Sequence, residues 1–166
     1  MEIVEVCLPE AIKTVEQIAK EVWREHYLPI ISDKQIDYML ENFQSFEAIS
    51  KQIKDENYKY FLMRAEVDFY DGYFAIVAKD DGLFLSKLYV CRTARKKQYA
   101  KKSLEFMKAA AEKLNLGNIY LTVNRQNESS IEVYKRLGFE IKETVDLDIG
   151  GGYQMNDYKM VLEIKK

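Results

Sequence analysis

Histidine is almost missing from this 166-residue chain, and cysteine, proline and glycine are scarce: one His, two Cys, two Pro and seven Gly. Any Ser–His or Cys–His dyad would have to pass through His26, which leaves little room for a hydrolase. His26, Cys7 and Cys91 form no metal-ligand spacing, so metal chemistry is not expected, and both cysteines read as buried thiols. Without repeats, low-complexity tracts or Pro/Gly-rich linkers, residues 1–166 read as one domain. No apolar run is long enough to span a bilayer, and the start MEIVEVCLPE has no basic and apolar blocks of a secretory signal. That combination predicts a cytoplasmic protein without a membrane partner. Neither charge sign dominates: 25 Lys and Arg stand against 27 Asp and Glu, a net charge of -2, so nothing overall calls for nucleic acid.

What is present is a core. Hydrophobic residues make up 48% of the chain, enough for one well-filled domain. Residues 2 to 7 alternate as a strand. From Pro9, the positions Ile12, Val15, Ala19, Val22 and Trp23 recur at helical spacing until Pro29. Ser32 and Gln35 form a capping box ahead of the stripe Ile36, Met39, Leu40 and Phe43, and a short helix from Phe46 to about Ile53 follows. Beta patterning then covers Tyr58–Met63, Tyr73–Ala78 and Leu83–Val90, with Asp81-Gly82 as the turn between the last two. A helix with the stripe Ala100, Leu104, Met107, Ala111 and Leu114 is expected to end at Gly117. Ile119–Val123 is a strand, Asn127 caps a helix closed by Gly138 and Phe139, and strands near Phe139–Leu147 and Tyr153–Ile164 flank Gly150-Gly151-Gly152. Trp23, Tyr27 and Tyr38 lie at helical spacing and read as core rather than pocket lining.

Two stretches carry chemistry. In LYVCRTARKKQYAKKSLEFM a strand runs through a basic loop into a helix, and six cations, Arg92, Arg95, Lys96, Lys97, Lys101 and Lys102, fall within eleven residues. The first helical N–H groups, near Tyr99 to Lys102, lack intrahelical acceptors and carry the positive dipole end, which suits a pyrophosphate. The same residues also read as a solvated basic helix start or a nucleic-acid patch; the net balance and the lack of interleaved aromatics beyond Tyr99 weigh against nucleic acid. In NRQNESSIEVYKRLGFE, Asn127, Ser130 and Tyr134 share adjacent turns of one helix, which alone is also the pattern of a capped helix with a core tyrosine.

Together these stretches resemble the GNAT superfamily of acetyl-CoA-dependent N-acyltransferases, from about Tyr58 to Ile164. Arg95, Gln98 and Ala100 occupy the places of its Gln/Arg-x-x-Gly-x-Gly/Ala pattern, and Asn127, Ser130, Tyr134, Gly138 and Phe139 match Asn-x-x-Ser/Ala-x-x-x-Tyr-x-x-x-Gly-Phe in full. The helical first third, with Trp23, Tyr27 and Pro29, is similar to the acceptor-covering part of the polyamine-acetylating branch. The resemblance implies an α/β fold (α+β in some schemes): a mixed, mostly antiparallel sheet of about seven strands flanked by helices and splayed between strands 4 and 5. It implies acetyl-CoA as co-substrate, bound by Leu88, Tyr89 and Val90 on the strand, by Arg95, Lys96, Lys97, Gln98, Tyr99, Ala100 and Lys101 at the loop and helix start, and by Asn127, Ser130 and Tyr134. Tyr134 would protonate the leaving thiolate, and a small-molecule amine, polyamine-like, would accept the acetyl group.

Lys96 and Gln98 stand where the family has glycine, so a second reading is a relative that keeps the fold and binds coenzyme A or a protein without turnover. Ser86 and Lys87 occupy the strand position where many relatives carry a glutamate base, which leaves Glu66, Asp68 and His26 as candidates for that role. Asp146, Asp148 and Asp157 surround the triple glycine and are placed to attract a cationic acceptor or simply to solvate a loop. Exposed strand edges leave room for a homodimer.

Overall fold

Apolar residues at helical spacing in the first third and at strand spacing afterwards give thirteen elements in the computed structural model, which describes residues 1–164. They are β1 (Glu2–Glu5), α1 (Pro9–Tyr27), α2 (Asp33–Phe43), α3 (Phe46–Asp55), β2 (Lys59–Arg64), β3 (Gly72–Lys79) and β4 (Gly82–Val90), then a 3-10 turn (Arg92–Ala94), α4 (Tyr99–Lys113), β5 (Asn118–Asn124), α5 (Glu128–Arg136), β6 (Glu140–Gly150) and β7 (Tyr153–Glu163). One seven-stranded sheet has the order β1-β2-β3-β4-β5-β7-β6. The residues cluster into two compact units, Met1–Val77 with Lys87–Lys102, and Ala78–Ser86 with Ser103 onward.

In the first unit, β2 pairs antiparallel with both β1 and β3. Helix α1 buries Val15, Ala19, Val22 and Trp23 on one stripe, and each of the two valines contributes about 1.5–3 kcal/mol of transfer free energy. Ser32 and Ser45 cap α2 and α3 by accepting from the N–H groups of Gln35 and Ala48. Beneath the helices runs a buried polar chain. The Trp23 indole donates to the Tyr73 hydroxyl at 3.1 Å, Tyr73 to Gln44 Oε1 at 2.5 Å, Gln44 Nε2 to the Tyr60 hydroxyl at 3.0 Å, and Tyr60 to Gln52 Oε1 at 2.5 Å. Gln52 Nε2 ends it on the Phe43 carbonyl at 2.9 Å. Because every member is satisfied, the chain fixes how the helices seat on β2 and β3 instead of costing an orphaned group.

In the second unit, β4 pairs parallel with β5 from Leu83↔Ile119 to Leu85↔Leu121, while β5 pairs antiparallel with β7 along its length and β7 with β6. Leu83, Ile119, Leu121 and Met160 are fully buried, as is Met107 of α4.

Four local expectations change. The β3–β4 turn falls on Asp80-Asp81 and Gly82 opens β4; a β-carbon on Gly82 would stand 2.1 Å from Asn118 Oδ1, whose amide donates to the Asp81 carbonyl at 2.8 Å. The glycine is thus there for a close approach. Helix α4 stops at Lys113 and not Gly117, because Asn115 takes the left-handed position (φ 59°) and the Leu116 N–H reaches the Ala111 carbonyl at 2.8 Å in a Schellman closure. Cys7 is exposed, at the β1–α1 junction, and Cys91 half-buried. Finally, the 3-10 turn at Arg92–Ala94, which buries Ala94, had no sequence signal.

Candidate functional site

The strand expected to meet the thioester, Leu88–Val90, is the half-buried end of β4 in the first unit. Gly72 of β3 lies against it: a β-carbon there would stand 2.3 Å from the Tyr89 carbonyl oxygen and 3.0 Å from Val90 Cα. Beside Gly72, Asp71 ties four segments together. Its N–H donates to Met63, its carbonyl accepts from Cys91 N–H at 2.7 Å, and its carboxylate accepts from Ala65 N–H at 3.1 Å and from the Tyr99 hydroxyl. Sequence reasoning missed Asp71; its only signal was the Asp-Gly dipeptide between two strands.

The basic loop follows. Lys96 and Gln98 both have φ 65°, so the two positions that lack the family's glycine adopt the conformation glycine would supply. The Lys102 N–H donates to the Gln98 carbonyl at 3.0 Å, which makes Gln98 the residue that precedes α4 and aims the N–H groups of Tyr99, Ala100 and Lys101 out of the helix start. Arg92, Lys96, Lys97, Lys101 and Lys102 are exposed around it. Left-handed turns, the first backbone N–H groups of a helix and clustered cations together form a cradle that fits a diphosphate.

Two expected ligands have other duties. Arg95 donates from Nε to the Val90 carbonyl at 3.2 Å and pairs with Glu25 of α1 at 3.3 Å, so it pins the loop to β4 and α1. The Tyr99 side chain is buried on Asp71, and burial first, then the hydrogen bond and charge of Asp71, push its phenol up to about 12; its contribution to the cradle is the backbone N–H.

An aromatic group borders the same end of β4. Trp23 lies 5.3 Å from Tyr27 and 5.5 Å from Tyr89, centroid to centroid, and the Tyr27 and Tyr89 hydroxyls are 3.1 Å apart. Trp23 is buried as expected, whereas Tyr27 and Tyr38 are only half-buried. His26 sits edge-on to both Tyr27 and Tyr89 at 5.8 Å, with burial first and then the Arg95 charge lowering its pKa against a smaller opposing effect of Glu25. The imidazole is therefore neutral at pH 7. Glu66 and Asp68 are exposed in the β2–β3 loop. Lys87, half-buried over the Tyr58 ring at 5.3 Å, is lowered by desolvation to about 8, with Glu56 opposing. Burial raises the Cys91 thiol to about 11.

The second motif lies in the second unit. Asn127 caps α5: its Oδ1 accepts from Ser130 N–H at 3.3 Å, and its own N–H donates to the Asn124 carbonyl at 3.0 Å. Tyr134 is half-buried in the last turn. The Phe139 N–H donates to its carbonyl at 3.0 Å, Gly138 takes φ 104°, and the two rings meet edge-on at 5.6 Å, so the Gly-Phe end of the motif is a Schellman closure around the tyrosine. On the hairpin beyond, Asp146 pairs with Arg125 and Asp148 accepts from Gly150 N–H at 2.9 Å, whereas Asp157 is buried.

The chain matches the acetyltransferase (GNAT) family over residues 12–139. No curated protein matches it significantly. Among solved structures it is similar to the PaiA N-acetyltransferase of Thermoplasma acidophilum in complex with coenzyme A, at 21% identity and a TM-score of 0.80, covering 99% of this chain and 100% of that one. A GCN5-related N-acetyltransferase of Rhodopseudomonas palustris gives 11% identity and a TM-score of 0.80 over 98% and 95% of the two chains. A chimera of the Vibrio cholerae spermidine N-acetyltransferase SpeG and hSSAT gives 16% and 0.66 over 98% and 96%.

Proposed function

Because the chain belongs to the acetyltransferase (GNAT) family, we propose that it transfers an acetyl group from acetyl-CoA to a primary amine of a small, polyamine-like molecule by direct attack in a ternary complex. The observation that carries this reading is the loop before α4, where Lys96 and Gln98 hold left-handed backbone without glycine while Arg92, Lys96, Lys97, Lys101 and Lys102 ring the helix start with positive charge. Acetyl-CoA supplies the acyl group as a thioester. The N–H groups of Tyr99, Ala100 and Lys101 and the side chains of Lys96, Lys97 and Gln98 bind its diphosphate, and Asn127 and Ser130 hold its pantetheine side. Amides of Leu88, Tyr89 and Val90 polarise the thioester carbonyl.

His26, neutral at pH 7 and against Tyr89, takes the proton from the amine nitrogen as the new C–N bond forms. Tyr134 gives its phenolic proton to the departing sulfur; ordinary thiol and phenol pKa values make that step uphill by about 2 kcal/mol, a modest barrier. The high pKa of Cys91 argues against a covalent acyl-cysteine and for direct transfer. Likeness to the SpeG chimera supports a polyamine acceptor. The deciding experiment is thiol release from acetyl-CoA with a panel of amines. Amine-dependent release at steady state is expected; coenzyme binding without release would overturn the catalytic reading.

A further inference from the structure

Asp157 of β7 is 6% exposed, and among the described residues its Oδ1 is the buried side-chain oxygen or nitrogen without a hydrogen-bond partner. In register it stands opposite Asn124, the last residue of β5, and Val145 of β6. The groups facing it are few: the Thr122 hydroxyl donates to it, and Arg125 contributes a favourable charge but is itself paired with Asp146. Desolvation outweighs both and raises the carboxyl to about 6. Folds rarely keep such an acid, because an asparagine of the same shape would carry no buried charge.

Its position suggests a reason. β5 is the strand paired parallel with β4, and ligands of open α/β sheets lie beyond the carboxyl ends of parallel strands. The Asn124 carbonyl opposite accepts from Asn127, which caps the helix that carries Tyr134. A carboxylate compensated only in part, with one oxygen lacking a hydrogen bond, repels the phosphates of a coenzyme and attracts an ammonium. We infer that Asp157 is the anionic anchor for a protonated nitrogen of the acceptor, its Oδ1 receiving an N–H that the protein does not provide. A second, neutral nitrogen of the same molecule then attacks, so the substrate class is a diamine or longer polyamine and not a monoamine. This rests on the transferase reading above.

The test compares wild type and Asp157→Asn with 1,4-diaminobutane and with butylamine. Wild type is expected to show a KM for the diamine at least about tenfold below that for the monoamine, one hydrogen-bonded charge pair being worth that much. Asp157→Asn should abolish the difference while the KM for acetyl-CoA and the monoamine stay unchanged. The diamine KM of wild type should also climb as the pH falls through about 6, a limb the variant lacks. An unchanged diamine KM in the variant overturns the anchor. If neither protein turns over any amine, the transferase reading fails by itself, and thermal stabilisation by diaminobutane still decides the matter: seen in wild type and lost in both Asp157→Asn and Asp157→Ser it upholds the anchor, and equal shifts in all three overturn it.

Discussion

Gly72 and Tyr89 approach so closely that a β-carbon on the glycine would sit 2.3 Å from the tyrosine carbonyl oxygen. That carbonyl belongs to the strand assigned to the thioester, so the absence of a side chain on β3 sets where β4 runs. Gly72→Ala is expected to destabilise the protein by about 3 kcal/mol, the upper range for overpacking, since the obstacle is backbone and cannot swing aside. Urea unfolding measures it; a loss under about 0.5 kcal/mol, the scale of a neutral surface change, would mean that β4 yields freely.

Lys96→Gly and Gln98→Gly should each raise stability, because a β-carbon in left-handed backbone costs about 1 to 2 kcal/mol, less the entropy a glycine adds to the unfolded chain. Coenzyme affinity should weaken slightly for Gln98→Gly, which removes a neutral side chain from the diphosphate, and more for Lys96→Gly, which removes a cation, and the difference should shrink in high salt. Calorimetric titration at two ionic strengths reads both effects.

The sequence and the fold agree where the causes are local. Ser32, Ser45 and Asn127 cap the helices they precede, and Gly138 closes α5, because capping needs only neighbours in the chain. Asn115 takes the left-handed place ahead of Gly117, because asparagine also tolerates that conformation and comes first in the chain. Long-range relationships were invisible. Nothing in the string Tyr70-Asp71-Gly72 announces that Asp71 will hold Tyr99, or that Glu25 will draw Arg95 away from a purely phosphate-binding duty. The loop's cations were legible as a group, their division of labour was not.

Tyr134→Phe should lower kcat by about 10²-fold, the lower range for a general acid, with the KM for acetyl-CoA nearly unchanged. The Schellman closure around residue 134 uses main-chain atoms, so the helix should survive the change. Equal turnover in both proteins would remove the acid role.

His26→Gln should remove an acidic limb from the kcat–pH profile that lies below 6.5 in wild type, and lower the plateau by about 10²-fold or more. The sign for stability follows from the lowered folded pKa: the unfolded chain holds the proton more tightly, so stability is full above 6.5 and lost as the pH falls through the folded value. The glutamine variant should flatten that loss. A profile identical to wild type would transfer the role to another base.

Trp23 is the only tryptophan in the chain, and its indole donates to Tyr73 within the buried polar chain while its ring lies 5.5 Å from Tyr89. Its fluorescence is therefore a built-in optical gauge: emission should shift red when the amino-terminal helices lift from their strands, and change in intensity when a ligand disturbs Tyr89, with no label attached.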